Sequence, residues 1–186
     1  MKKQIREQIL YKRTQQSPRD KAPKDKKIIE TIEKLPEFQN AQNILIYIAI
    51  HGEVDLSQLF NKYKGSKNFI LPRLNQSDSS LILYHIKSLD DLEKGTFSIP
   101  EPKEDLEKIP LEKIDLAIIP GVAFALDGNR IGYGGGSFDR LLLKLNCTKI
   151  GIAYQFQIVE NIAGEDHDQK VDLIITEANI IHIPNP

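Results

Sequence analysis

ILIYIAI, residues 44–50, is apolar at every position. A half-buried strand alternates apolar and polar side chains, whereas a strand covered on both faces has no polar side to show. Seven residues are also far short of the roughly 20 that cross a bilayer. The run therefore reads as a central strand of a parallel sheet. IDLAII (114–119), closed by Pro120, reads the same way, as do KIGIAY (149–154) and VDLIIT (171–176). NFILPRL (68–74) reads as a strand with a turn at Pro72, SLILYHI (80–86) as another, and IIHIP (180–184) as a last edge strand.

Helical spacing fills the intervals. Residues 2–16 carry Ile5, Ile9 and Leu10 and stop at Ser17-Pro18; residues 25–35 turn Ile28, Ile29, Ile32 and Leu35 inward. Leu56, Leu59, Phe60 and Tyr63 follow the i, i+3, i+4, i+7 pattern, and Phe138, Leu141, Leu142 and Leu145 share one face of a later helix. Residues 155–163 read as a short helix, and 87–113, with Gly95, Pro100, Pro102 and Pro110, as an irregular functional loop. Strands alternating with helices predict a mainly parallel sheet covered on both faces. Such sheets bind ligands outside the carboxyl ends of their strands. Two loops then matter most: His51–Glu53 and Pro120–Gly136.

The 186 residues suffice for one domain, 1–186, with a sizeable core. A net charge of −1 excludes a polyanion binder acting with its whole surface. The charge is uneven, however: residues 1–27 hold ten Lys and Arg against Glu7, Asp20 and Asp25. Lys2 and Arg6 are four apart and share a helical face, expected to lie away from the Ile5/Ile9 stripe. No RNA- or DNA-binding motif accompanies these basic residues. The lone Cys147 cannot form an internal disulfide, and no charged-then-apolar leader opens the chain, so a reducing, cytoplasmic setting is expected.

RIGYGGGSFDR (130–140) concentrates Gly132, Gly134, Gly135 and Gly136 before a helix. Such a run turns several backbone N–H groups toward one anion. Ser137 is the expected helix N-cap, and Arg130 and Arg140 could add charge-assisted hydrogen bonds to phosphate. The P-loop pattern fails because no Lys follows the glycines, and the dinucleotide pattern fails because position 137 is Ser. A flexible strand-to-helix connection is the bland reading. Asp139 suits the helix dipole, and equally a magnesium ion beside phosphate. Glu53 and Asp172 have ordinary roles available as a surface carboxylate and a strand-end carboxylate. Glu165-Asp166-His167-Asp168 matches no zinc spacing and reads as a solvated loop. His85 and His182 read as strand residues, and no Ser/His/Asp or Cys/His set points to covalent catalysis.

With these residues in place, the chain resembles the 5-formyltetrahydrofolate cyclo-ligase (methenyltetrahydrofolate synthetase) family. IPGVAFALDGNRIGYGGGSFDR (119–140) is similar to its P-G-x-x-F…G-x-R-x-G-x-G-x-G-[YF]-[YF]-D-R pattern. The K-x-x-x-R opening (Lys2 to Arg6), Glu53-Val54-Asp55, FILPRL with GTFSIPEP (95–102), and HDQKVD (167–172) agree in order. The resemblance implies ATP- and Mg2+-dependent conversion of 5-formyltetrahydrofolate to 5,10-methenyltetrahydrofolate. It implies a three-layer α/β/α fold of the broad sugar-phosphate isomerase/CoA transferase-like type, working on small molecules as a monomer without nucleic acid or membrane. Lys2, Lys3, Gln4, Ile5, Arg6 and Arg130, Ile131, Gly132, Tyr133, Gly134, Gly135, Gly136, Ser137, Phe138 would bind ATP, with Lys2 and Arg130 catalytic. Ile48, Glu53, Tyr133, Gly134, Gly135, Gly136 and Ser137 would contact the folate, and Asp139 and Asp172 would hold Mg2+. Ser137-Phe138 stands where the family usually has Tyr-Tyr, which invites the alternative of a catalytically silent ATP-binding relative. An isomerase of the same fold, needing no nucleotide, is a further alternative. Asp172 at a strand start and the glycine loop after a strand end share an edge only if that strand runs antiparallel.

Overall fold

The computed structural model describes residues 2–96, 99–164 and 168–184. Phe97 and Ser98 of the GTFSIPEP segment, and Glu165, Asp166 and His167 of the acidic loop, lie outside these. The strands β1 (Asn43–Leu45), β2 (Asn68–Leu74), β3 (Leu81–Ile86), β6 (Leu116–Pro120), β9 (Thr148–Ile152), β11 (Leu173–Ile175) and β12 (Ile180–His182) form a sheet in the order β12-β11-β9-β6-β1-β2-β3. From β11 to β2 all neighbours are parallel, and β12 and β3 close the two edges antiparallel. The mainly parallel α/β sheet expected from the apolar runs is thus present.

Side-chain alternation sends each strand to two cores. Leu116 and Ile118 of β6 face one way, into a core with Ile28, Ile29 and Ile32 of α2 (Pro18–Lys34), Phe38 of α3 (Pro36–Asn40) and Leu59 and Phe60 of α4 (Ser57–Tyr63). Ala117 and Ile119 face the other way, onto Leu141 and Leu142 of α5 (Ser137–Leu142) and Leu145 just beyond it. Helices therefore cover both faces, which is why the central strands β6 and β11 carry only apolar residues. A third core joins α1 (Lys2–Thr14) to a small sheet of β7 (Ala123–Ala125), β8 (Arg130–Ile131) and β10 (Ile158–Val159); Ile9 meets Val122, Ala123 and Ile131 there.

Several local expectations are corrected. The apolar run 44–50 stays in the ladder only to Leu45; Ile46 N still donates to Ile70 O at 2.9 Å, and the chain then leaves the sheet. Pro72 makes no turn. β1 pairs with β2 only as far as Ile70, so Pro72 lies past the neighbour that would need its N–H, while β2 continues against β3. The second helix starts at Pro18, not near 25, because Ser17 and Asp20 form a reciprocal capping box with Pro18 in the first turn. Residues 155–163 hold one short 3-10 turn (Gln155–Gln157) followed by β10. The long segment 87–113 contains a hairpin of β4 (Leu92–Lys94) and β5 (Pro100–Pro102).

Candidate active site

Beyond the carboxyl ends of β1, β2 and β6 the structure opens a cleft of about 490 Å³. Chain leaving β1 supplies Tyr47, Ile48, Ile50 and Glu53; β2 supplies Leu71, Pro72 and Leu74; the β4–β5 hairpin adds Thr96, Ile99, Pro100 and Glu101. The opposite wall is the glycine loop, from Arg130 through Ile131, Gly132, Tyr133, Gly134, Gly135, Gly136, Ser137 and Phe138 to Asp139. Lys2, Arg6 and Asp168 close the remaining side.

The glycine loop is pinned at both ends. Arg130 is 5% exposed, and its Nη2 donates to Asp139 Oδ1 at 2.7 Å. Burial disfavours the guanidinium charge, while the charges of Asp139 and Asp168 favour it. Arg130 Nε is buried with no hydrogen-bond acceptor among the described residues. Between the pins, Gly136 takes φ 65° as the N-cap of α5, a left-handed angle that strains other residues. Ser137 is therefore the first helical residue and not the cap expected from sequence. Arg140 turns outward: its Nη2 donates to Ser79 O at 2.9 Å, and it does not line the cleft.

α1 lies across the loop. Arg6 Nε donates to Gly132 O at 2.9 Å, and Lys2 Nζ to Asp168 Oδ2 at 2.7 Å. Lys3, Gln4 and Ile5 do not reach the cleft: the first two are exposed and Ile5 packs toward the third core. The expectation that Lys2 and Arg6 avoid the Ile9 face is also corrected. Positions 2, 6, 9 and 13 project on one side of a helix, and that side is pressed against the site.

Glu53 sits at the other end of the cleft, 4% exposed. It follows a turn in which His51 (φ 47°) and Gly52 (φ 78°) are both left-handed. Its Oε2 accepts from Ile50 N at 3.1 Å and its Oε1 from the Tyr133 hydroxyl at 3.1 Å. Burial pushes its carboxyl above the usual carboxylate range, against the backbone hydrogen bond from Ile50 and the Arg13 charge. Arg13, one of the ten basic residues in the first 27, is 2% exposed, and its Nη1 donates to the Tyr133 hydroxyl at 2.7 Å.

Asp172 is on the opposite edge of the sheet. β11 runs parallel to β9 and β6, so its start lies away from the glycine loop. There Asp172 Oδ2 accepts from Lys149 N at 2.7 Å, beside Cys147 and Asp115. The expected pairing of Asp139 with Asp172 around one ion is corrected accordingly; Asp168, four residues earlier in the same matched segment, is the carboxylate brought into the cleft.

The chain is similar to known proteins over nearly its whole length. The model of the 5-formyltetrahydrofolate cyclo-ligase family matches residues 1–177. A 5-formyltetrahydrofolate cyclo-ligase from Haemophilus influenzae is 31% identical, over 90% of this chain and 92% of its own. One from Mycoplasma pneumoniae is 33% identical over 95% and 98%. The solved structure of Aquifex aeolicus 5,10-methenyltetrahydrofolate synthetase superposes with a TM-score of 0.89 at 35% identity, covering 100% of this chain and 94% of that one. The chain belongs to the 5-formyltetrahydrofolate cyclo-ligase family.

Proposed function

We propose that the cleft converts 5-formyltetrahydrofolate to 5,10-methenyltetrahydrofolate, consuming ATP and releasing ADP and phosphate. The observation that carries the reading is the two-ended chemistry of one cleft: a cationic, glycine-rich end with Lys2, Arg6 and Arg130, and a buried acceptor, Glu53, at the other. The first suits a triphosphate. The second suits a pterin, whose N–H groups a carboxylate accepts in pairs.

The formyl group on the ring nitrogen is an amide and a poor electrophile. Transfer of the γ-phosphoryl group to its oxygen, with ADP leaving, makes that oxygen a leaving group. The neighbouring secondary amine attacks the formyl carbon and gives up its proton. Phosphate then departs with the former formyl oxygen, leaving the methenyl cation. Such transfer asks the protein for positioning and charge stabilisation. Lys2, Arg130 and the loop N–H groups would hold the phosphates, and each such contact is worth on the order of 100-fold in rate. Ile48, Glu53 and the stretch Tyr133–Ser137 would hold the folate.

Asp139 and Asp168 offer two carboxylates beside the loop. That donor set fits Mg2+, which is commonly held by one or two carboxylates with phosphate oxygens and water. When bound, the ion would neutralise phosphate charge.

We further read the chain as one domain, 1–186, in a three-layer α/β/α arrangement of the broad sugar-phosphate isomerase/CoA transferase-like type. Helices on both sheet faces support that layering. Among the described residues no helix is long and apolar enough to cross a membrane. A cytoplasmic monomer acting on small molecules completes the reading. The deciding assay is incubation with ATP, Mg2+ and 5-formyltetrahydrofolate, following methenyl product and ADP. Product without nucleotide, or nucleotide binding with no product, would overturn it; the latter would mark a silent relative.

A further inference from the structure

Arg13 is the largest side chain with essentially no exposure, and its whole reach is toward the cleft. Nη1 donates to the Tyr133 hydroxyl at 2.7 Å and stands 3.7 Å from Glu53 Oε1, while Nη2 donates to the carbonyl of Gly121. Tyr133, Glu53 and Gly121 all line the cleft; Arg13 does not. We infer that Arg13 is a positioning residue for the folate end of the site: through Tyr133 it fixes the Glu53 carboxylate as a charged, pre-aimed acceptor. The inference rests on the reading of Glu53 as the group that receives the pterin.

A merely structural part fits Arg13 poorly. A buried ion pair is often replaceable by apolar packing at no loss of stability, and Arg13 Nε has no hydrogen-bond partner among the described residues. What apolar packing cannot supply is the chain of polarity. The guanidinium donates to the Tyr133 oxygen, so that hydroxyl must turn its own hydrogen to Glu53 Oε1. Oε2 is already held by Ile50 N. Both oxygens are thus oriented from behind, and their remaining lone pairs are set for a ligand. The groups facing the carboxylate are few. Arg13 comes from α1; Lys21 of α2 donates to the Glu53 backbone carbonyl at 2.8 Å; Tyr47 follows β1; Tyr133 comes from the glycine loop, with His51 of the same turn against its ring at 5.7 Å. Arg13 is the cation nearest the carboxylate oxygens among those named. Without it, burial would act on Glu53 with less opposition and the carboxyl would hold its proton to higher pH.

The test uses Arg13→Gln, Arg13→Lys, Tyr133→Phe and Glu53→Gln in the full chain, each checked for cooperative unfolding. Steady-state kinetics would be taken across pH with each substrate varied, and the Glu53 carboxyl titrated by carbon-13 NMR. Arg13→Gln should raise the KM for 5-formyltetrahydrofolate about tenfold while the KM for ATP holds. The acid limb of kcat/KM for the folate, and the NMR midpoint of Glu53, should both move to higher pH. Arg13→Lys should return the limb toward its original place, because charge is kept, but not the full KM, because the fork is lost. Tyr133→Phe should reproduce the KM effect in part. Equal loss for both substrates, or an unmoved Glu53 titration in a folded Arg13→Gln protein, would overturn the inference. A normal folate KM in Glu53→Gln would instead sink the reading of Glu53, and Arg13 would then be judged on the carboxyl titration.

Discussion

Arg130 and Asp139 stand 2.7 Å apart across the glycine loop, with the arginine side chain 3% exposed and the aspartate 20%. The pair ties the strand before the loop to the first turn of the helix after it. It also places a buried cation in the cleft wall beside the glycine loop. Arg130→Ala should therefore lower kcat/KM for ATP by about 100-fold or more. Arg130→Lys should recover only a part of this, since a point charge replaces a planar fork. Initial rates at varied ATP check both; a near-normal alanine variant would remove Arg130 from the reaction.

Asp168 and Asp172 lie four positions apart and at opposite edges of the sheet, which makes them a matched pair of controls. Asp168→Ala should raise the Mg2+ concentration needed for half-maximal rate. Asp172→Ala should leave that requirement alone. It should instead cost about 1–2 kcal/mol of stability, because Lys149 N loses its acceptor. Magnesium titrations and denaturant melts of both proteins separate the effects, and a magnesium phenotype for Asp172→Ala would reverse the assignment.

Asp25 is 8% exposed and receives a hydrogen bond from Tyr154. Burial nevertheless raises its carboxyl above 3.8, outweighing Tyr154 and Lys21. The folded protein then holds this proton more tightly than the unfolded chain. Its contribution to stability is greatest below pH 3.8 and declines as pH climbs to the folded value, then stays level. Asp25→Asn should flatten that interval in a difference curve of Tm against pH. An unchanged curve would show that Asp25 titrates as it does in the unfolded chain, and one of opposite slope that folding lowers its pKa; either overturns the prediction.

Ser17→Ala should cost about 1 kcal/mol by removing the capping box that starts α2. The loss should appear in global unfolding with the KM values intact, because Ser17 is not part of the cleft lining.

How far the sequence revealed all this depends on what each residue's role leaves in local spacing. Strands buried on both faces leave unbroken apolar runs, so the parallel sheet and its ligand-binding edge were readable. The end of β1 was not, because Tyr47, Ile48 and Ile50 stay apolar as cleft wall after they leave the ladder. The capping box at Ser17 has a local signature in Asp20 three residues on, but Ser17-Pro18 equally marks the end of the preceding helix. Arg13 was hidden in a basic stretch, although its spacing from Lys2, Arg6 and Ile9 places it on their helical face. Asp168 lost to Asp172 because strand direction, which separates them, is a tertiary fact. The Tyr133–Glu53 hydrogen bond joins residues 80 apart and has no local signature.

The Lys2–Asp168 contact bridges 166 positions of chain. A ribosome that has just released Asp139 has already delivered Glu53, Arg130 and the glycine loop, but not the partner of Lys2. Arg6 and Arg13 can already meet the glycine loop at that point, whereas Lys2 waits for Asp168 before the remaining side of the cleft closes. A chain arrested between Asp139 and Asp168 would carry both ends of the cleft without the contact that ties the first helix to residue 168.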